Sequence, residues 1–227
     1  MNTRSFRYIL PLAAALAATT ASAQEFFDTS QPDEAFGLGV RIGLNTSVNT
    51  TDLNMHDNLY NHNSWGLGFD AGVVANINIR DYISIQPGFF FQSRSGDYAY
   101  MSLASGAEAQ WMGICGHVRR YAFDIPVLAS LHFNLAESVR WNVELGPYFS
   151  FNLKTKSDGT FIKSDQTAMP DLRHKSLDFG FKMGTGLTLW QHYVVAVHYM
   201  AGTRDAWKDP YMGGKNKAWT FTIGYDF

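Results

Sequence analysis

The sequence predicts an all-β fold, an eight-stranded antiparallel up-and-down transmembrane β-barrel, on three observations. Eight segments alternate apolar residues with small or polar ones at period two, the signature of half-buried strands. The connections between them are alternately short and long, as in barrels with short periplasmic turns and long extracellular loops. The apolar face carries no charge, while the opposite face is rich in glycine and holds charges of both signs. A soluble barrel such as a lipocalin has the reverse exterior, studded with Lys and Glu.

The strands follow in order. The first, FGLGVRIGLN, places Phe36, Leu38, Val40, Ile42 and Leu44 on one face. The second continues the pattern from Trp65 to Ile77, the third from Ile83 to Phe91, and the fourth from Tyr121 to Phe133. The fifth runs from Val139 to Leu153, the sixth from Leu177 to Leu189, and the seventh from Tyr193 to Ala201. The eighth, AWTFTIGYDF, aligns Trp219, Phe221, Ile223, Tyr225 and Phe227. Thr185 is the one polar member of the whole apolar face. Strands two, four and six are followed by only a few residues. Long loops are expected at Thr46–Asn63, Arg94–Gly116, Lys154–Ser176 and Thr203–Lys217. Strands of about nine to eleven residues suffice to cross a bilayer when tilted.

The N-terminal stretch has Arg4 and Arg7, then an apolar run, then Ala21-Ser22-Ala23. This is the pattern of a secretory signal peptide cleaved before Gln24. The apolar run is too short for a spanning helix. The expected organisation is a signal peptide over 1–23, a short segment over 24–35 and the barrel over 36–227. Net charge is −2 with no basic block, so nothing points to nucleic acid. Cys115 is the single cysteine, which excludes an intramolecular disulfide and is expected as a free thiol in a long loop.

The second face decides which way the barrel is turned. Most of the 20 glycines lie on it, and glycine suits the inside of a narrow, tapered barrel. Its charges are Arg41, Arg120, Arg140 and Lys182 against Asp70, Asp124, Glu144, Asp178 and Asp226. Groups of opposite sign in a closed lumen neutralise one another, which buried charges require. Eight strands leave an interior just wide enough for side chains. A packed polar core is therefore expected in place of an open pore, with His132 and His198 among its members. Closure has its own cause: lipid offers no hydrogen bonds, so the eighth strand must pair with the first. Phe36, Trp65, Tyr82, Trp141, Tyr193, Trp219 and Phe227, near strand ends, are candidates for interfacial aromatic girdles. Pro87, Pro126 and Pro147 fall inside strands and call for bulges or local ladder breaks.

Chemistry has one candidate location. The first long loop offers His56, Asp57, His62 and Ser64, residue types that serve a hydrolase or acyltransferase at the rim or a metal. The segment is dominated by asparagine, and a polar loop contains such residues by chance. MGGK at Met212–Lys215 lacks the phosphate-loop spacing. No catalytic residue, cofactor or metal ligand is expected.

The ordered set GVRIGLNTS, GFDAGVVANINIRDYISIQPGFFF, FDIPVLASLHFNL, GPYFSFNL, LDFGFKMGTGL and TIGYDF resembles the small outer-membrane β-barrels of Bacteroidetes-type bacteria called PorT-type. The contexts QPG, DIPVL and GPY are similar in that family too. The resemblance implies placement in the outer membrane, with outer-membrane lipid and the outer-membrane assembly machinery as partners, and a possible envelope protein complex. It also implies an assembly signal in the tail strand, mapping onto Trp219, Tyr225 and Phe227. Three functions remain open: a non-enzymatic outer-membrane barrel, an outer-membrane hydrolase or acyltransferase, and a soluble periplasmic lipocalin-like binding barrel.

Overall fold

The computed structural model of the chain describes residues 29–49, 52–53, 57–103, 111–163, 174–208 and 212–227. Ala21, Ala23, Gln24 and His56 lie outside the described residues. Eight strands close into one barrel: β1 (Phe36–Asn49), β2 (Asp57–Arg80), β3 (Ile83–Leu103), β4 (Trp111–Ala136), β5 (Val139–Lys163), β6 (Leu177–Leu189), β7 (Tyr193–Gly202) and β8 (Asn216–Asp226). Every neighbouring pair is antiparallel. The seam is β8 on β1, with Val40 opposite Tyr225, Ile42 opposite Ile223 and Leu44 opposite Phe221. Phe227 extends it by donating its amide to the Leu38 carbonyl at 2.9 Å.

The alternation read from the sequence sets which way each side chain points. Leu44, Leu67, Val73, Leu145, Phe181, Val195 and Ile223 stand exposed on the outer surface. Their neighbours of opposite parity, such as Asp70, Asp124, Glu144 and Lys182, are buried in the lumen. The soluble reading fails on this arrangement, since the exposed face is the apolar one. Thr185 tolerates the lipid side because its hydroxyl is satisfied: it donates to Asn142 O at 2.9 Å and accepts from Trp141 Nε1 at 2.6 Å.

Asp81–Tyr82, Glu137–Ser138 and Trp190–His192 make the three short connections. In the last, Trp190 (φ 48°) and Gln191 (φ 65°) are both left-handed, and the His192 amide closes the turn on Leu189 O at 3.1 Å. This is the primed geometry whose twist matches a hairpin. An aromatic patch surrounds that rim, with Tyr225 beside His192, Tyr193 and Phe227 at ring-centre distances of 5.3, 5.4 and 5.4 Å. Tyr199 and Trp219 pack at 4.9 Å toward the other rim.

Three of the four expected long loops need correction. β2, β3, β4 and β5 run 24, 21, 26 and 25 residues, whereas β6, β7 and β8 run 13, 10 and 11. Much of Thr46–Asn63, Arg94–Gly116 and Lys154–Ser176 is therefore ladder. The apolar alternation stops where the bilayer stops, but hydrogen bonding between strands does not need lipid. One side of the barrel consequently rises as a tall wall beyond the membrane. Cys115 is exposed on β4, in that wall, instead of in a loop. The first and fourth connections meet in a two-residue ladder of Asp52–Leu53 with Met212–Gly213.

The prolines sit at ladder gaps without a bulge. Pro87 pairs with Val127 and Phe90 with Asp124 in one continuous register, although the pairs between them are missing. Pro126 opposite Tyr148 and Ala129 opposite Leu145 bracket a second such gap. Gly146 lies in the second gap, where an added Cβ would fall 1.9 Å from the Val127 carbonyl oxygen. Only glycine fits a backbone approach that close.

Candidate functional site: a filled lumen with a capped outer mouth

The lumen is built in tiers, because each strand contributes every second side chain to it. At the periplasmic end His132 bridges Ser84 and Asn142, at 2.8 Å on each ring nitrogen, and Asn142 donates to Thr188 Oγ1 at 2.7 Å. Arg41 pairs with Asp226 at 2.7 Å across the closing seam. Arg140 belongs to the rim instead of the interior column. It is part-exposed and reaches Asn134 Oδ1 at 3.2 Å and Asp81 at 3.5 Å. Its position next to a two-residue turn gives it access to water.

In the middle tier His198 contacts Glu144, and the Lys182 ammonium lies 4.9 Å from the centre of the Phe90 ring. Asp70 is buried nearby, 2% exposed, and attracts Lys182 together with Glu144 and Asp124. Arg41, Glu144, Lys182 and His198 help line a cavity of about 20 Å³, room for roughly one water.

The upper tier is a charge cluster. Arg94 bonds Asp124, takes Gln92 Oε1 at 2.8 Å through Nε, and lies over the Tyr148 ring at 6.0 Å. Arg120 is the direct cross-strand neighbour of Arg94 and is 1% exposed. No side chain among the described residues accepts a hydrogen bond from its guanidinium, so Asp178 and Asp124 balance its charge at longer range. Asp178 accepts from Asn216 Nδ2 at 2.5 Å and from the Phe179 amide at 2.9 Å.

Above this cluster the mouth is covered. Trp207, 1% exposed, packs against His174 at a ring-centre distance of 4.0 Å and a tilt of 37°, and meets Tyr98 edge-on at 6.0 Å. Tyr98 also contacts Ser157 Oγ at 3.2 Å, and the Lys175 amide donates to Ala206 O at 2.7 Å. Burial, with the Arg120 cation near, pushes the His174 imidazole well below its usual range. The sign follows. Below the ordinary imidazole value of about 6.5, an undocked His174 binds a proton that the docked one does not. The cover therefore loses stability as pH falls below that value and carries no such penalty above it. Hydrogen-exchange protection of the Lys175 amide should fall between about pH 6.5 and 5, and His174→Phe should flatten the dependence. An unchanged profile in the variant would refute the assignment.

Sequence reasoning placed Arg41, Asp70, Arg120, Asp124, Arg140, Glu144, Asp178, Lys182 and Asp226 inward; Arg120 is buried beside Arg94, whereas Arg140 sits part-exposed at the rim. Sequence reasoning missed Gln92, Arg94, His174, Trp207 and Asn216. The signal for two of them was present: continuing the even parity of Gly88 and Phe90 reaches Gln92 and then Arg94. His62 Nε2 and Ser64 Oγ are 3.1 Å apart on the exposed wall. Among the described residues no group of three or more His, Cys, Asp or Glu is arranged to hold a metal ion.

Comparison with known proteins matches the sequence, over residues 23–206, to the outer membrane protein beta-barrel domain. A comparison with curated proteins returned no match. Among solved structures, the chain is similar to OprG of Pseudomonas aeruginosa (11% identity, 87% of this chain and 99% of that one, TM-score 0.47). It is similar to Neisserial surface protein A (11% identity, 85% and 98%, TM-score 0.45). It is also similar to Ail, the attachment invasion locus protein of Yersinia pestis, in complex with the heparin analogue sucrose octasulfate (15% identity, 86% and 100%, TM-score 0.41).

Proposed function

Because the chain belongs to the family of outer membrane protein beta-barrel domains, we propose that it acts there as a non-enzymatic integral barrel whose working surface is its extracellular wall. It resides in the outer membrane. The observation that carries the proposal is the lumen: buried, oppositely charged side chains fill it, and the cavity beside Arg41, Glu144, Lys182 and His198 is about 20 Å³. A solute has no path through such an interior. What remains for function is the wall of β2 to β5, which stands beyond the bilayer and offers its edges and outer face to other molecules. The ordered motifs of the chain support PorT-type kinship and a place beside a larger envelope complex. The assembly machinery is the partner of its insertion, and Trp219, Tyr225 and Phe227 are the residues it reads.

Reconstituted into planar bilayers, the heat-modifiable barrel should give no conductance steps above baseline. Sustained single-channel steps would refute the filled-lumen reading. Gentle detergent purification should carry along an envelope protein that is lost when the wall beyond Tyr98 is trimmed.

A second reading, a lipid or peptide hydrolase, has one supporting contact, His62 Nε2 to Ser64 Oγ at 3.1 Å. A nucleophile and base need that proximity. The pair lies open to solvent, where developing charge gains little from fixed dipoles. Any hydrolytic activity of the purified barrel on lipid or peptide should survive His62→Ala. Its abolition would make this the better reading.

A further inference from the structure

The outer face of the wall changes character abruptly at one residue. On β5, Phe151 and Leu153 point outward into the apolar band. The register then slips: Asn152 is opposite Ala122, but Lys154 is opposite Tyr121. Leu153 is the extra residue of a β-bulge, so Leu153 and Lys154 are both exposed. Beyond it the parity is reversed. Lys154 and Lys156 point outward, whereas an unbroken strand would have turned them into the lumen and sent Thr155 out.

The bulge thereby sets Lys156 directly opposite the exposed Arg119 of β4, with Lys154 one pair closer to the membrane. Like charges directly opposite one another destabilise a sheet. Among the described residues none of the three enters a salt bridge. On β3 the position opposite Arg119 is Ser95. Among the described residues the nearest acids on this face are one pair, about 6.6 Å, farther out: Asp97, bonded to His117 at 2.6 Å, and Asp158 opposite His117. Two adjoining strands thus carry three cations without a salt-bridge partner among the described residues, immediately above the apolar band, at the rim away from the short turns.

We propose that Arg119, Lys154 and Lys156 form a binding site for the phosphate of an anionic lipid headgroup in the outer leaflet. The occupant follows from chemistry and height. An anion between Arg119 and Lys156 relieves their repulsion, and basic side chains at a membrane surface attract anionic headgroups. The contiguous Phe151 and Leu153 lie where the same lipid's acyl chains would run. The described acids of this face, Asp97 and Asp158, are set back from the site, so they do not compete for it. The proposal rests on the outer-membrane reading, which fixes this rim as the outer one.

The test uses the mature chain folded in zwitterionic detergent micelles, with the temperature of heat-modified gel migration as the readout. The barrel is titrated separately with diphosphoryl lipid A, its dephosphorylated counterpart and inorganic phosphate. Diphosphoryl lipid A should raise the transition temperature, and R119Q/K154Q/K156Q should need about tenfold more of it for half the effect. K154Q and K156Q alone should each show a smaller shift, which keeps the test open if the triple variant folds poorly. R80Q, at the opposite end of β2, should match the unmodified chain. An equal response of wild type to the dephosphorylated lipid, or of the triple variant to lipid A, overturns the proposal. So does an equal effect from inorganic phosphate, which would mark a free-anion site. A chain that never shows heat-modifiable migration fails the outer-membrane reading itself.

Discussion

Replacing Asp124 with Leu should lower the stability of the detergent-folded barrel by about 3–5 kcal/mol, the cost of leaving a buried charge without its partner. Asp124 is fully buried and bonds Arg94. Arg94 and Arg120 are direct cross-strand neighbours, both buried. With the Asp124 carboxylate gone, two guanidinium groups side by side share Asp178, which already accepts from Asn216 and the Phe179 amide. Leucine keeps the branched outline of the carboxylate but is bulkier, so part of the loss reports packing and the recovery in the double variant isolates the charge. The double variant Asp124→Leu/Arg94→Leu should recover most of it, because replacing both members of a buried pair by apolar groups is close to neutral. Urea titration of gel migration measures all three proteins. A single variant as stable as the unmodified chain, or a double variant worse than the single, would show that the upper tier is not an electrostatic unit.

That cluster also marks how far the sequence could be read. Asp124 and Arg120 were legible as inward-facing, because Tyr121, Phe123 and Ile125 fixed the parity of β4. Arg94 was not, although it is the residue that makes Asp124 necessary. The apolar run of β3 ends at Phe91, and period-two hydrophobicity reports lipid, not hydrogen bonding. Past the bilayer both faces of a strand touch water or polar neighbours, so the pattern disappears while the ladder continues. The same blindness turned three walls of ladder into expected loops. It also hid the Leu153 bulge, since a bulge shows in sequence only when the faces on either side differ in hydrophobicity. The seam between β8 and β1, by contrast, followed from a rule with no exceptions in lipid: an unpaired edge has nothing to bond. Trp207 and His174 come together from segments separated by β6 and β7, a distance that local pattern does not span.

Replacing Trp219, Tyr225 and Phe227 together by Ala should cut the amount of barrel in the outer membrane by about tenfold or more while leaving synthesis and export unchanged. Two physical causes are separable here. The first is loss of the seam: Trp219 packs on Tyr199, and Tyr225 on Tyr193 and Phe227. All three side chains point toward lipid, and Phe227 is 70% exposed. The backbone pairing of β8 with β1 and the Arg41–Asp226 pair at 2.7 Å do not depend on them. Aromatic pairs are worth about 0.5–1.5 kcal/mol each beyond burial, too little to abolish folding in detergent. The second is the recognition proposed above, which would act during assembly, before the side chains have any lipid to face. The triple variant should therefore refold in micelles to near the unmodified yield, yet accumulate in the periplasm when expressed. Restoring Phe227 alone should recover a large share of insertion if the residue is read by the assembly machinery, and little if only packing matters. Equal losses in micelles and in cells would assign the tail to the stability of the seam, and normal insertion would leave Phe227 as one more side chain against lipid.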